Sequence, residues 1–191
     1  MIFNVGKRIV YPYRGPCRIG AVVKKEIGGR PENFYPLFLM DDSGDVLFVP
    51  VDKVETLGMR QLVKKSEVPK LLRRLSEEVE VLEIPNARMT WKQRATDNFN
   101  RFASGSAFDL AAIIGSLTEL NEIKPLSPRD RDVLDKARKN LICEISEVMG
   151  QTKSAAEQQI NEALEAVKKR GHASQGHRDS KPFRLSRIRV A

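Results

Sequence analysis

The sequence predicts an α+β protein, a small antiparallel β-barrel followed by a compact all-helical domain. Two observations carry that expectation. From Gly6 to Pro50 the chain is rich in β-branched and aromatic residues and is broken at short intervals by Gly, Pro and Asp, as short strands joined by tight turns require. From Ser66 onward, apolar residues recur at three- and four-residue steps between capping signals, the pattern of amphipathic helices.

The spacing predicts strands over Lys7 to Tyr13, Cys17 to Glu26, Phe34 to Met40 and Val46 to Val49. Tyr13-Arg14-Gly15-Pro16, Gly28-Gly29-Arg30-Pro31 and Asp41-Asp42-Ser43-Gly44 supply the turns. Pro36 removes a ladder donor, so the third strand is expected at an edge or interrupted there. A few short strands hide their edges best by curling into a half-open barrel. The barrel has no histidine, no Ser/His/Asp set and no glycine-rich phosphate loop, and it reads as a docking module. A spare edge around Phe34 to Met40 would accept a partner's strand, with Lys24, Lys25 and Arg30 adding charge complementarity. Those cations fit an ordinary solvated face equally well.

Ser66 can cap a short helix through Leu75, with Pro69 tolerated in its first turn. Ser76 to Arg88 is acidic, then broken at Pro85-Asn86, and reads as a connection. Thr90 and Gln93 form a capping box that starts a helix at Trp91, and Gly105 stops it. Ser106 opens the next helix, expected to reach about Asn121 and to bury Phe108, Ala112 and Leu117. Ser127-Pro128 starts a third long helix with Asp130 and Asp132 near its positive end, and Leu134, Ala137, Leu141, Ile145 and Val148 form its stripe up to Gly150. Thr152 caps a last helix with Ala156, Ile160, Leu164 and Val167 facing inward, ended by Gly171. The expected division is therefore 1–60 for the barrel, 61–170 for the helices and 171–191 for a disordered basic tail.

Composition narrows the function classes. Against 25 acidic residues stand 33 Lys and Arg, a net charge of +8, so an anionic partner is plausible. Residues 171–191 hold five bases and one acid, which leaves the folded part only mildly basic. Cys17 and Cys143 are far apart with no ligand at metal spacing, and His172 and His177 lack an acid or thiol partner, so no metal or cofactor is expected. No apolar run approaches the ~20 residues of a membrane span, no signal peptide precedes Met1-Ile2-Phe3-Asn4, and the expected location is cytoplasmic. Paired catalytic groups are absent from the sequence, so an enzyme is not expected.

Arg88-Met89-Thr90-Trp91-Lys92-Gln93-Arg94 sets the chain's one tryptophan among three bases at a helix start, where free N–H groups and the dipole suit phosphate. The alternative is a core tryptophan, since Trp91, Ala95, Phe99 and Phe102 recur at near-helical spacing. On the third long helix, Arg129, Lys136 and Lys139 share one face and Arg131 and Arg138 another, mixed with Asp130, Asp132 and Asp135 as on a solvated surface.

Met1-Ile2-Phe3, Val5-Gly6, Val10-Tyr11-Pro12, Gly15, Val49-Pro50-Val51 and Gly58-Met59-Arg60 stand in the order found at the start of bacterial CarD/CdnL-type transcription regulators, and over residues 1 to about 165 the chain resembles that family. The resemblance implies a Tudor-like barrel, related to the polymerase-binding module of transcription-repair coupling factors, that binds the RNA polymerase β subunit. It implies that Trp91 enters the minor groove at the upstream edge of the melted promoter, near the −10 element, and stabilises the open complex without catalysis. Arg88, Lys92 and Arg94 beside Trp91, and Arg129, Arg131, Arg138 and Lys139, are then candidate DNA contacts. Lys25, Arg30, Phe48 and Pro50 are candidate polymerase contacts. The chain departs from the family's pattern where Gln93, Ala95 and Thr96 replace a usual base and aromatic, and where Phe48 stands in place of an arginine found in some members. The rival expectation is a protein–protein adaptor with Trp91 buried and no direct DNA contact.

Overall fold

The computed structural model describes residues 4–54, 56–76 and 91–175; the side chains of Ser76, Trp91, Lys92, Arg94 and residues 167–175 lie outside that description. Strands β1 (Arg8–Tyr11), β2 (Gly15–Ile19), β3 (Val23–Ile27), β4 (Arg30–Leu39), β5 (Val46–Pro50) and β6 (Arg60–Gln61) form one antiparallel six-stranded sheet. Its path runs β3-β4-β2-β1-β6, with β5 on the other side of β4, and it does not close.

The expected second strand, Cys17 to Glu26, is two strands. Register explains the break. Ile19 pairs with Leu37 and Val23 with Phe34, so Gly20, Ala21 and Val22 oppose only Tyr35 and Pro36, a one-residue bulge. Pro36 sits at this bulge, where a donor is dispensable, and its carbonyl takes the Gly20 N–H at 2.8 Å. The strand holding Pro36 is therefore the centre of the sheet, not its edge. β4 pairs with β2, β3 and β5, and the spare edge expected at Phe34 to Met40 is not there. The β3–β4 turn is the two-residue Gly28-Gly29, both with positive φ, as a tight hairpin demands.

The helices are α1 (Val68–Ser76), α2 (Trp91–Ser104), α3 (Ala107–Ile123), α4 (Pro128–Met149) and α5 (Lys153–Gln175). A short 3-10 turn over Lys65–Glu67 precedes α1, and Glu67 caps it by accepting the Lys64 N–H at 2.7 Å, so Ser66 lies inside the turn and does not cap it. The helix opened by Ser127 and Pro128 begins and ends as its capping residues predict, with Gly150 left-handed at the end. Helix α5 continues through Gly171 to Gln175, so the helical segment passes the expected stop; the rest of the tail, 176–191, and the Thr90 cap lie outside the described residues.

Two apolar clusters form. The inner face of the sheet gathers Ile9, Cys17, Ile19, Tyr35, Leu37, Val49 and Val54. The helices gather Leu71, Leu75, Phe102, Leu110, Ile114, Leu117, Ala137, Leu141, Ile145, Ile160 and others. Phe108, expected inside, is 38% exposed, because α3 buries Ala107, Leu110, Ala111 and Ile114 on the face that meets α1 and α4.

Between the clusters lies α4. Val133, Ala137, Leu141 and Ile145 face the other helices, while Asn140, Cys143, Glu144 and Glu147 lie on an adjacent stripe and meet the sheet and the segment after it. Gly15 is required here twice over. Its φ is +85, and a Cβ would lie 2.6 Å from Asn140 Oδ1.

Candidate functional site

Three groups of residues could carry function. The first is the outer face of β4 and β5. Leu47 and Val49 point inward, so Val46 and Phe48 point out, opposite Phe38 and Pro36 respectively. Phe38, Phe48 and Val46 are 47%, 43% and 37% exposed, a concentration of large apolar side chains on one sheet face. Gly20 makes room for it, since a Cβ there would lie 2.7 Å from both the Phe38 ring and Pro36. The Lys25 ammonium stands 3.0 Å from the centre of the Phe48 ring, a cation–π contact that puts a positive charge on an apolar patch. Pro50 is partly buried opposite Phe34, and Arg30 is exposed at the start of β4, beyond the Gly28-Gly29 turn. Lys25, Phe48 and Pro36 thus come together, with Arg30 at the far end of the β3–β4 hairpin.

The second group surrounds α2. Helix α2 is described from Trp91 onward, with Lys92 and Arg94 in the turn that follows; the Thr90 cap expected before it lies outside the described residues. Their side chains, and all of Arg88, lie outside the described residues. Further along α2 the stripe that could have been wholly core divides: Phe102 is buried and Phe99 is 41% exposed. Tyr13, held at φ +67 in the β1–β2 turn, packs its ring against Phe99 and Phe102 at 5.7 and 5.8 Å. The Arg129 guanidinium lies 5.8 Å from the Phe99 ring centre. Arg131, two residues further on, is exposed, Arg138 donates to Asn161 Oδ1, and Lys136 pairs with Asp132 at 2.8 Å. Lys139 instead reaches the sheet, 2.8 Å from the Asp41 carboxylate.

The third group joins sheet and helices. The Arg60 guanidinium meets Glu144 with both ends of its fork, at 2.7 and 2.8 Å, and its Nε–H donates to the Gly105 carbonyl at 2.7 Å. Glu144, 0% exposed, also accepts the Val63 N–H at 2.9 Å. Arg8 pairs with Glu147 at 3.1 Å, and Lys153 with Asp42. Desolvation alone would raise the Asp41 carboxyl, but hydrogen bonds from Lys139 and Ser43 outweigh it and hold it at about 2. The hydrogen bond to Asp41 raises Lys139 in turn. Burial pushes the Cys17 thiol up to about 12 and Cys143 to about 11, so both stay protonated, and Cys143 donates to the Met40 carbonyl at 3.1 Å. Among the described residues no cluster of His, Cys, Asp and Glu suits a metal ion, and no helix is long and apolar enough to cross a membrane.

The sequence reading missed this third group. One signal for it exists, since Glu144 interrupts the run Leu141-Ile142-Cys143-Glu144-Ile145, and an acid inside an apolar stripe demands a partner. Nothing local identifies that partner as Arg60.

Comparison with known proteins places the arrangement. Residues 3–63 match the family profile of the CarD-like/TRCF RID domain, and residues 70–161 match that of the CarD C-terminal domain. The candidate transcription factor YdeB of Bacillus subtilis (strain 168) is 24% identical over 151 residues, 79% of this chain and 95% of that protein. The solution NMR structure of the 72-residue N-terminal domain of Myxococcus xanthus CarD is 39% identical over 31% of this chain and 77% of its own, with a TM-score of 0.26. The two profiles follow one another in the order of the sheet and the helices and together span most of the sequence, and the chain belongs to the CarD-type family of transcription regulators.

Proposed function

We propose that the sheet module, residues 1–60, docks on the β subunit of RNA polymerase, and that the helical module, 61–170, contacts promoter DNA at the upstream edge of the bubble, near the −10 element. Phe48, Pro50, Lys25 and Arg30 make the polymerase contact in this reading. Trp91 is the minor-groove wedge, flanked by Arg88, Lys92 and Arg94, with Arg129, Arg131 and Arg138 on phosphates and Lys139 divided between DNA and Asp41. The protein then works in the cytoplasm on polymerase-bound DNA.

The observation that carries the docking half is the exposed apolar face of Phe38, Val46 and Phe48 with Lys25 over the Phe48 ring. Interface cores favour aromatic anchors in apolar surroundings with few charges, and a lone cation adds orientation. Phe48 makes the contact more apolar than an arginine would. For the DNA half, the support is a helix start at Trp91 with bases in its first turn. A ring inserted at an already melted step fills space the strands would need to reanneal, at an unstacking cost of a few kcal/mol that the bubble has already met. A binder that prefers the open over the closed complex by about 1.4 kcal/mol shifts their ratio about tenfold.

The test is binding of the full chain to a polymerase β fragment, with Phe48→Ala. Loss of an exposed hot-spot aromatic is expected to weaken binding by about 2 kcal/mol, roughly thirtyfold, with folding stability unchanged within about 0.5 kcal/mol. Unaltered affinity would remove the β4–β5 face from the interface.

A further inference from the structure

Several side chains join the sheet to the helices, and one of them, Arg60, also reaches the end of α2. Arg60 lies in β6, grips the buried Glu144 of α4 through its whole fork, and donates Nε–H to Gly105, the residue that ends α2. Around that point Pro12 approaches Gly105 closely, so that a Cβ there would lie 3.4 Å from Pro12 Cα, and Tyr13 packs on Phe102 at the same end of α2. The C-terminal end of α2 is thus fastened to the sheet, while Trp91 begins the opposite end. At 1.5 Å per residue the two ends of α2 are about 20 Å apart, so a swing of roughly 10° at the fastened end carries the tip about 3.5 Å. That is about one base-pair step of DNA.

Resting on the promoter reading above, we infer that Arg60, with Glu144 and the Gly105 carbonyl, is the fulcrum that aims the first turn of α2 relative to the docked sheet. Arg60 and Glu144 are positioning residues. They touch neither polymerase nor DNA, and their work is to convert docking of the sheet into a fixed address for the first turn of α2. A guanidinium suits this where an ammonium would not, because the planar fork fixes direction as well as distance. The Arg8–Glu147 pair, on the same stripe of α4, is an outlying contact of the same junction.

The experiment uses the full chain with Glu144→Gln and, as the milder variant that keeps the charge but loses the fork, Arg60→Lys. Three quantities are read: affinity for the polymerase β fragment, the spin-label distance distribution between Asp45→Cys on the sheet side and Gln93→Cys on α2, and open-complex lifetime. Both variants are expected to bind polymerase like wild type, to broaden the distance distribution, and to lose most of a roughly tenfold lifetime gain, as misplacements of an ångström or more do at other sites that act by geometry. Joining Arg8→Cys to Glu147→Cys with a short bis-maleimide in the Glu144→Gln protein, without the two label cysteines, should restore the lifetime, which a purely structural role would not. Folded variants that keep the wild-type lifetime gain, or an unbroadened distribution, overturn the inference. If wild type itself leaves open-complex lifetime unchanged, the promoter reading fails in that arm alone and the aiming role falls with it.

Discussion

Replacing Arg60 by alanine removes both bonds to Glu144, the bond to Gly105 and the bond from Nη1 to the Gln61 carbonyl. What remains is a carboxylate whose side chain is 1% exposed, held among the described residues by the Val63 N–H. Breaking a buried pair from one side costs about 3 to 5 kcal/mol, because the orphaned charge has lost both water and partner. The Arg60 side chain is 26% exposed, so water can enter the space it leaves, and the expected loss is at the lower end, about 3 kcal/mol at pH 7. Urea unfolding of both proteins at pH 7 measures it. A deficit below about 1 kcal/mol would refute the reasoning that the buried Glu144 carboxylate depends on Arg60 as its partner.

Two further perturbations test the junction from other sides. Gly15→Ala should cost about 2 to 3 kcal/mol, backbone strain plus collision with Asn140, whereas Gly28→Ala, with positive φ but open space around it, should cost only about 1 kcal/mol; equal losses in urea titrations would remove the Asn140 contact from the account. Asp41, held at about 2, contributes stability that is present above about pH 4 and lost as the pH falls toward 2; Asp41→Asn should abolish that slope, worth about 1 kcal/mol or less because Lys139 is exposed, and an unchanged acid limb would refute the pairing.

Local chemistry made most of the elements legible. Ser127-Pro128 and Gly150 bound α4, Ser106 caps α3, and Gly28-Gly29 sets a hairpin, because caps and turns are decided by a few neighbouring residues. Errors arose where tertiary context decides. Pro36 argued for an edge strand or an interruption; the strand is the most heavily paired one, and the ladder along one side of it is interrupted opposite Pro36 by a bulge of Gly20 to Val22. Phe108 fell on the expected stripe of α3, but that helix is apolar on most sides and its small residues took the packed face. At the candidate site, the sequence identified Phe48 and Lys25 separately, and only the sheet register brings them together. The Arg60–Glu144 pair spans 84 residues, a distance over which neither periodicity nor spacing carries information. Lys139 shared a helical face with Arg129 by periodicity, and the adjoining Asp41 that engages it lies in a turn of the sheet.

Open-complex lifetime with wild type and with Trp91→Ala tests the central claim most directly, read beside polymerase affinity and unfolding of the same variant. The wedge reading predicts that wild type prolongs the open complex, and that Trp91→Ala binds polymerase equally, changes stability by less than about 0.5 kcal/mol and loses the prolongation. A variant that melts early by about 3 to 5 kcal/mol would make Trp91 a core residue. One that stays folded, stays bound and prolongs the open complex as wild type does would contradict the account.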